Sequence, residues 1–334
     1  MFDDIIDRIY EPSVDAWLPN IPDSDERVAL VSLAYNGVVG FKADGSFKSP
    51  LLRQAIIDDQ RAEAWYEIRY QSDADGQHTG RRIDESNLFG LYDHPELGVQ
   101  EAEAKEVLQM YTAHREQIRT YESQHAQDYP TGGTTSIDFQ LIGAKTPLIQ
   151  AYAQFAGAPS IDGEVLVGSD LQRDTFDLQP VSIPGVPAHI FDLSKSDLLL
   201  GEGGDDFLRG RGGDDVLYGG AGDDRLVGDA GNDYLFGGAG FDTYVYATGD
   251  GHDRIEDSDA NGVIFVNGQM LVGGVKKDGH TDWVSPDGHI QYVMQGTDLV
   301  VKLNGTQILT VNENFQSGQF GIRLVERAEE RMTA

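Results

Sequence analysis

An aspartate recurs every ninth residue between Gly201 and Val245: Asp206, Asp215, Asp224, Asp233 and Asp242. The units GEGGDDFLR, GRGGDDVLY, GGAGDDRLV, GDAGNDYLF and GGAGFDTYV fit G-G-x-G-x-D-x-U-x, departing mainly at the second position, where Glu202, Arg211 and Asp229 replace glycine. A six-residue turn and a three-residue strand make half a coil, so two repeats close one turn of a parallel β-roll. With strands stacked about 4.8 Å apart, alternate aspartates come into register. Asp206, Asp224 and Asp242 share one edge, and Asp215 and Asp233 the other. Carboxylates so close to like charges need a counterion, and residues 201–245 hold ten acidic against three basic side chains. A hard cation with six to eight oxygen ligands answers this. Calcium accepts a mixed shell of carboxylates and backbone carbonyls, whereas magnesium demands a stricter octahedron. Several calcium ions are therefore expected between stacked turns. Their donors would be the five carboxylates and the first- and third-position carbonyls: Gly201 and Gly203, Gly210 and Gly212, Gly219 and Ala221, Gly228 and Ala230, Gly237 and Ala239.

The eighth positions, Leu208, Leu217, Leu226, Leu235 and Tyr244, point inward and supply a thin apolar interior. That core is too small to hold the chain alone, so metal-binding energy becomes folding energy. Without the cation such a Gly/Asp-rich stretch reads as disordered acidic chain. The flanks extend the pattern. In DLSKSDLLL, Asp197 and Leu199 are in phase as a degenerate repeat. In TGDGHDRIEDSDANGVIFV, Asp250 and Asp253 precede an apolar Ile255 shifted by one residue, with a further turn at Asp259–Gly262.

This nonapeptide resembles the calcium-binding repeat of RTX proteins. The end of the chain, IQYVMQGTDLVVKLNGTQILTVNENFQSGQFGIRLVE and its charged tail, is similar in layout to RTX C-terminal caps, which carry an uncleaved type I secretion signal. The resemblance implies a right-handed roll, type I secretion machinery as a partner and an extracellular location. The chain would thread the exporter unfolded and fold outside, where calcium is plentiful.

Composition limits the other readings. Over 334 residues, 25 Lys+Arg face 56 Asp+Glu, a formal charge of −31, which disfavours nucleic acid and anionic membrane surfaces. There is no cysteine, so disulfides, thiolate zinc sites and cysteine nucleophiles are excluded. No apolar run reaches a membrane span, and MFDDIIDRIYEPSVDAW is acidic where a secretory signal would be basic and then apolar. The histidines form no H-E-x-x-H pair, no G-x-S-x-G elbow is present, and no Lys-Ser/Thr follows a phosphate-loop glycine pattern.

Residues 1 to about 125 are punctuated as helices: RVALVSLAYNGVVGF, SPLLRQAIIDDQRAEAWYEIRY and LGVQEAEAKEVLQMYTAHREQIRTYESQH carry apolar residues at three- and four-residue spacing. In the second, Leu52, Ala55, Ile56, Ala62, Trp65 and Ile68 form one stripe after a Ser49-Pro50 start. Residues 131–200 lose the helical period and gain short extended runs. The stretch 27–92, with AL.SLAYN, SPLL..AI, Trp65 and GRR..E..LF, resembles the helical lobe of phage-type lysozymes. That resemblance implies peptidoglycan as a partner, with Asn36, Arg81, Arg82 and Glu85 as the polar residues of interest. It also implies a catalytic Glu followed by Asp nine residues on and Thr six beyond. Glu11 meets Asn20 and Glu26 meets Tyr35, so no catalytic residue is assigned, and the chain reads as part of a larger hydrolase. The alternative is a non-enzymatic secreted calcium-binding protein for adhesion, surface or toxin delivery, whose helical domain binds a partner.

The expected fold class is multidomain α + β: a helical lysozyme-like domain (1–129), a linker and β-rich flank (130–190), the repeat roll (191–262) and a β-rich C-terminal cap with the secretion signal (263–334).

Overall fold

The computed structural model describes residues 9–18, 24–72, 77–92, 98–130, 133–169, 174–177, 194–276, 279–311 and 314–326. The chain divides into two compact units, with the boundary between Leu148 and Ile149. The charged tail expected to carry the secretion signal, and residues 178–193, lie outside the described residues.

The first unit is helical: α1 Glu11–Trp17, α2 Asp25–Tyr35, α3 Pro50–Ile57, α4 Arg61–Tyr66, α5 Thr79–Phe89, α6 Glu101–Gln124, α7 Ile137–Gln140 and α8 Ile142–Tyr152, the last running into the second unit. Ser24 caps α2 by accepting the Arg27 N–H. Trp17, Leu30, Leu33, Leu52, Trp65, Leu108, Tyr111 and Ile118 are fully buried and form the core.

Three local expectations are corrected. The SPLL…EIRY helix is two helices, because Asp59 takes a positive φ of 59° and breaks the ladder. A π-turn at Glu67–Gln71 then carries Ile68 and Arg69 inward. Ser49 itself sits at φ 43° and gives its hydroxyl to the Val38 carbonyl, so only Pro50 fulfils its predicted role at the helix start. Residues 137–140 and 142–152, read as having lost the helical period, are helical, the second stretch even across Pro147.

The second unit is β. One sheet runs β1 (Val165–Val167), β3 (Leu198–Leu200), β5 (Val216–Ala221), β7 (Tyr234–Ala239) and β9 (Asp253–Glu256), all parallel. It continues into β16 (Thr306–Val311), β15 (Asp298–Leu303), β14 (Ile290–Gln295), β13 (Trp283–Val284), β12 (Gly273–Lys276) and β17 (Arg323–Glu326). The other sheet stacks β2 (Thr175–Asp177), β4 (Phe207–Gly212), β6 (Arg225–Ala230), β8 (Asp242–Tyr246) and β10 (Gly262–Val266) in parallel, edged by β11 (Gln269–Met270). Successive repeats thus alternate between two parallel sheets, as in a β-roll.

The register follows the 18-residue period: Leu208 faces Leu226 and then Tyr244, while Leu199 faces Leu217 and then Leu235. All six are at most 1% exposed, so the eighth position supplies the core as its apolar character predicts. The last coil is longer. Leu235 pairs with Ile255 and Tyr234 with Arg254, twenty residues on. The expected one-residue shift is therefore two, taken up in the Thr248–Gly251 turn.

On the outer face of β5 and β7, Tyr218 and Phe236 stack at 4.2 Å and 4°. The Tyr218 hydroxyl donates to the Tyr152 carbonyl and that of Tyr234 to the Gly157 carbonyl. Segment 152–157 is therefore strapped to residues from two successive coils.

Candidate metal centre

Each sixth-position aspartate sits at the end of a turn, just before a strand or, for Asp242, as its first residue, and all five are buried. One carboxylate oxygen is committed to the backbone. Oδ1 of Asp215 accepts the N–H of Asp197 at 2.8 Å, Asp233 accepts Asp215 at 2.8 Å, and Asp253 accepts Asp233 at 3.2 Å. On the other edge Asp206 accepts Asp174 at 2.7 Å, Asp224 accepts Asp206 at 2.7 Å, and Asp242 accepts Asp224 at 2.9 Å. The two rows are the two edges expected from the spacing.

The second oxygen of each is different. Oδ2 of Asp206, Asp215, Asp224, Asp233, Asp242 and Asp253 is buried without a hydrogen-bond partner. Six such atoms in register are unusual, since buried polar groups nearly always find partners. Five of them, on Asp206, Asp215, Asp224, Asp233 and Asp242, lie in recesses that the first-position glycines keep open. A methyl group added to Gly219 would stand 2.3 Å from Asp224 Oδ2 and 2.7 Å from the Gly237 carbonyl oxygen. At Gly201 the corresponding distances are 2.5 Å to Asp206 Oδ2 and 2.4 Å to the Gly219 carbonyl oxygen. These two recesses are therefore lined by carboxylate and carbonyl oxygens from successive turns. Among the described residues no three acidic or histidine side chains converge. The donor set is instead one carboxylate per turn with backbone carbonyls, which suits a hard, oxygen-preferring cation. Gly219→Ala is expected to raise the calcium concentration at half-saturation by about tenfold or more, since a contact of 2.3 Å forces the carboxylate away. Gly80→Ala, where nothing lies within 4 Å, is the control, and a calcium titration of both variants checks it.

Burial is the main force on these carboxylates. It raises Asp215 to about 9, Asp206 and Asp242 to about 7, and Asp224 to about 6. The accepted N–H bonds oppose the rise and neighbouring aspartates add to it. Asp233 and Asp253, one coil apart, are both raised, again chiefly by burial. With no cation, these groups hold protons at pH values where an exposed aspartate has lost them.

Asp197 joins its row, buried, with Oδ1 accepting the Glu164 N–H. Asp253 joins too, but Asp250 does not: its carboxylate caps the Ala247 N–H within its own turn. Two features were missed from the sequence. Asp174 extends one row upstream, and Gly168 keeps a recess like the others, with the Gly201 carbonyl oxygen 2.4 Å from its missing methyl position. The D-T-F triplet at Asp174 is the available signal, hidden by the 32-residue interval to Asp206. Fifth-position side chains form an outer ladder as well. Asp205 accepts the Asp223 N–H, Asp223 that of Phe241, and Asp214 that of Asn232.

In the helical unit, the residues singled out by resemblance meet where α2 packs on α5. Glu85, 3% exposed, accepts from the Ser32 hydroxyl, the Asn36 amide and the Arg82 guanidinium, and Arg81 donates to the Asn36 carbonyl oxygen. Glu11 pairs with Arg27. Burial would raise Glu26, but Ser24 and Arg61 outweigh it and hold its carboxyl below the usual value. That is the opposite of what a general acid needs.

The parallel two-sheet coil and its rows of carboxylates define a calcium-binding repeat module. Residues 191–226, and again 209–244, match the family model of the RTX calcium-binding nonapeptide repeat in four copies. The chain carries RTX repeats. No curated protein matches the chain. Among the described residues no helix is long and apolar enough to cross a membrane.

Proposed function

We propose that this is a secreted calcium-binding RTX protein whose roll closes when it meets extracellular calcium, and whose helical unit is directed at peptidoglycan. The observation that carries the first part is the set of six buried, unpartnered carboxylate oxygens, two of which, on Asp206 and Asp224, stand beside the first-position carbonyl of the next coil. Asp197, Asp206, Asp215, Asp224, Asp233, Asp242 and Asp253, with the first- and third-position carbonyls, would hold the ions. A cation supplies there the charge and the ligand bonds that the protein alone does not. Extracellular calcium modules work at about 10⁻⁴–10⁻³ M, a level that leaves the chain open inside a cell and closed outside it. Export through a type I system in the unfolded state fits that difference.

The peptidoglycan reading rests on the resemblance across 27–92 and on the meeting of its Asn36, Arg81, Arg82 and Glu85 at one helix contact. No hydrolytic residue is assigned. Limited proteolysis at submicromolar and millimolar calcium tests the roll, which should become protected only at the higher level. Equal cleavage at both levels refutes calcium-driven closure. Cosedimentation with insoluble peptidoglycan tests the helical unit. Retention weakened several-fold by Arg81→Ala supports it, and recovery of the whole chain in the supernatant leaves the non-enzymatic delivery reading.

A further inference from the structure

The fifth repeat departs from the others at its eighth position, where Tyr244 replaces leucine. Its ring is buried on the core side against Phe320, edge to face at 5.8 Å. Its hydroxyl reaches back into the turn of its own repeat. A methyl group on Gly237 would lie 2.0 Å from the Tyr244 oxygen and 2.3 Å from Asp242 Oδ2. In the first and third repeats of the same edge, the oxygen beside Oδ2 is the first-position carbonyl of the next coil, Gly219 or Gly237. In the fifth repeat a phenol stands there instead.

The coil that follows explains why. Phe236 pairs with Glu256, so Asp257 occupies the place of a first-position glycine, and Gly262 pairs with Asp242, so a glycine occupies the place of the sixth-position aspartate. The carboxylate has changed ends of the turn. Asp257 Oδ1 accepts the N–H groups of Asp259 and Ala260, and Oδ2 accepts the Tyr244 hydroxyl at 2.7 Å. Asp257 is thus fully engaged by protein donors, unlike the six aspartates whose Oδ2 has no partner.

We propose that Tyr244 and Asp257 close the last recess of the Asp206–Asp224–Asp242 edge without a cation, so that Tyr244 sets where this row of calcium sites ends. The ion held between the turns of Asp224 and Asp242, beside Asp224 Oδ2 and the Gly237 carbonyl oxygen, is then the last of this row. A phenol oxygen carrying a proton to Asp257 fills the volume and satisfies the carboxylate that would otherwise call for a further ion. The opposite edge, where Leu235 and Ile255 hold the corresponding places, has no such stopper, and its row runs on to Asp253. This rests on the proposed calcium binding and adds to it a difference between the two edges.

Native mass spectrometry of the full calcium-loaded chain counts the ions. Tyr244→Leu, which restores the residue of the other repeats, is expected to bind one more calcium than the parent chain, and Tyr244→Phe serves if the leucine variant does not fold. Asp257→Asn is expected to leave the count unchanged, because Asp257 holds no ion. An unchanged count in a folded Tyr244 variant, or the loss of one ion in Asp257→Asn, overturns the inference while leaving calcium binding intact. A parent chain that retains no calcium overturns the reading beneath it.

Discussion

Calcium added to the chelator-treated chain is expected to produce the β signal and a cooperative unfolding transition that are absent without it. The magnitude comes from the six buried Oδ2 atoms. Each unsatisfied buried group costs about 1–3 kcal/mol, so six cost on the order of 10 kcal/mol, comparable with the roughly 5–15 kcal/mol that holds a domain together. The interior offers little to offset this, because the coils 201–218 and 219–236 bury only three apolar side chains each, Leu208, Val216 and Leu217 in one and Leu226, Val227 and Leu235 in the other. Bound ions convert the six atoms from a cost into ligand bonds. Circular dichroism and calorimetry across a calcium titration check this. Asp224→Ala and Asp215→Ala should each move the midpoint to at least several-fold higher calcium, since each removes a ligand and also the acceptor of a neighbouring N–H. A chain equally folded in chelator, or equally served by magnesium, refutes the assignment.

The second large effect is on pH. An unfolded aspartate titrates near 3.9, whereas burial places Asp224 at about 6, Asp206 and Asp242 at about 7 and Asp215 at about 9 in the closed, calcium-free roll. Between those limits the folded state binds more protons than the unfolded state. Stability of the calcium-free roll therefore falls as pH rises from about 4 to about 9 and is greatest at the acid end. Calcium runs the other way. Binding displaces the protons, so affinity should climb over pH 6–9, by up to about tenfold per unit for each proton displaced. Midpoints at pH 5.5, 7 and 8.5, with proton release measured on calcium addition, give the result. A midpoint independent of pH, with no protons released, contradicts the burial of these carboxylates.

Much of the roll was legible in the sequence because its contacts repeat at a fixed separation. A nine-residue period with alternate units stacked requires Asp206 to lie beside Asp224 and Leu208 beside Leu226, and the pairing follows that rule. The same regularity made the donor types readable before any geometry, since aspartate and backbone carbonyl are the only oxygens each turn supplies in phase. The helical unit was readable as helices but not at their ends. The break at Asp59, the π-turn after Tyr66 and the helix across Pro147 depend on what the chain packs against rather than on local propensity.

What only the tertiary structure decided lies where the period fails. Asp174 enters the row from 32 residues upstream, Asp253 displaces Asp250 because the last coil has twenty residues, and Tyr244 turns its hydroxyl toward Asp257. In each case the residue type is ordinary and its meaning is set by which backbone the excursion or lengthened turn brings alongside. The sequence by itself determined that oxygen donors would recur and which apolar positions would face inward, because both follow from periodicity and side-chain chemistry. Which carboxylates lack a partner, and where their row stops, are matters of burial and of contacts between coils, and those exist only once the coils have stacked.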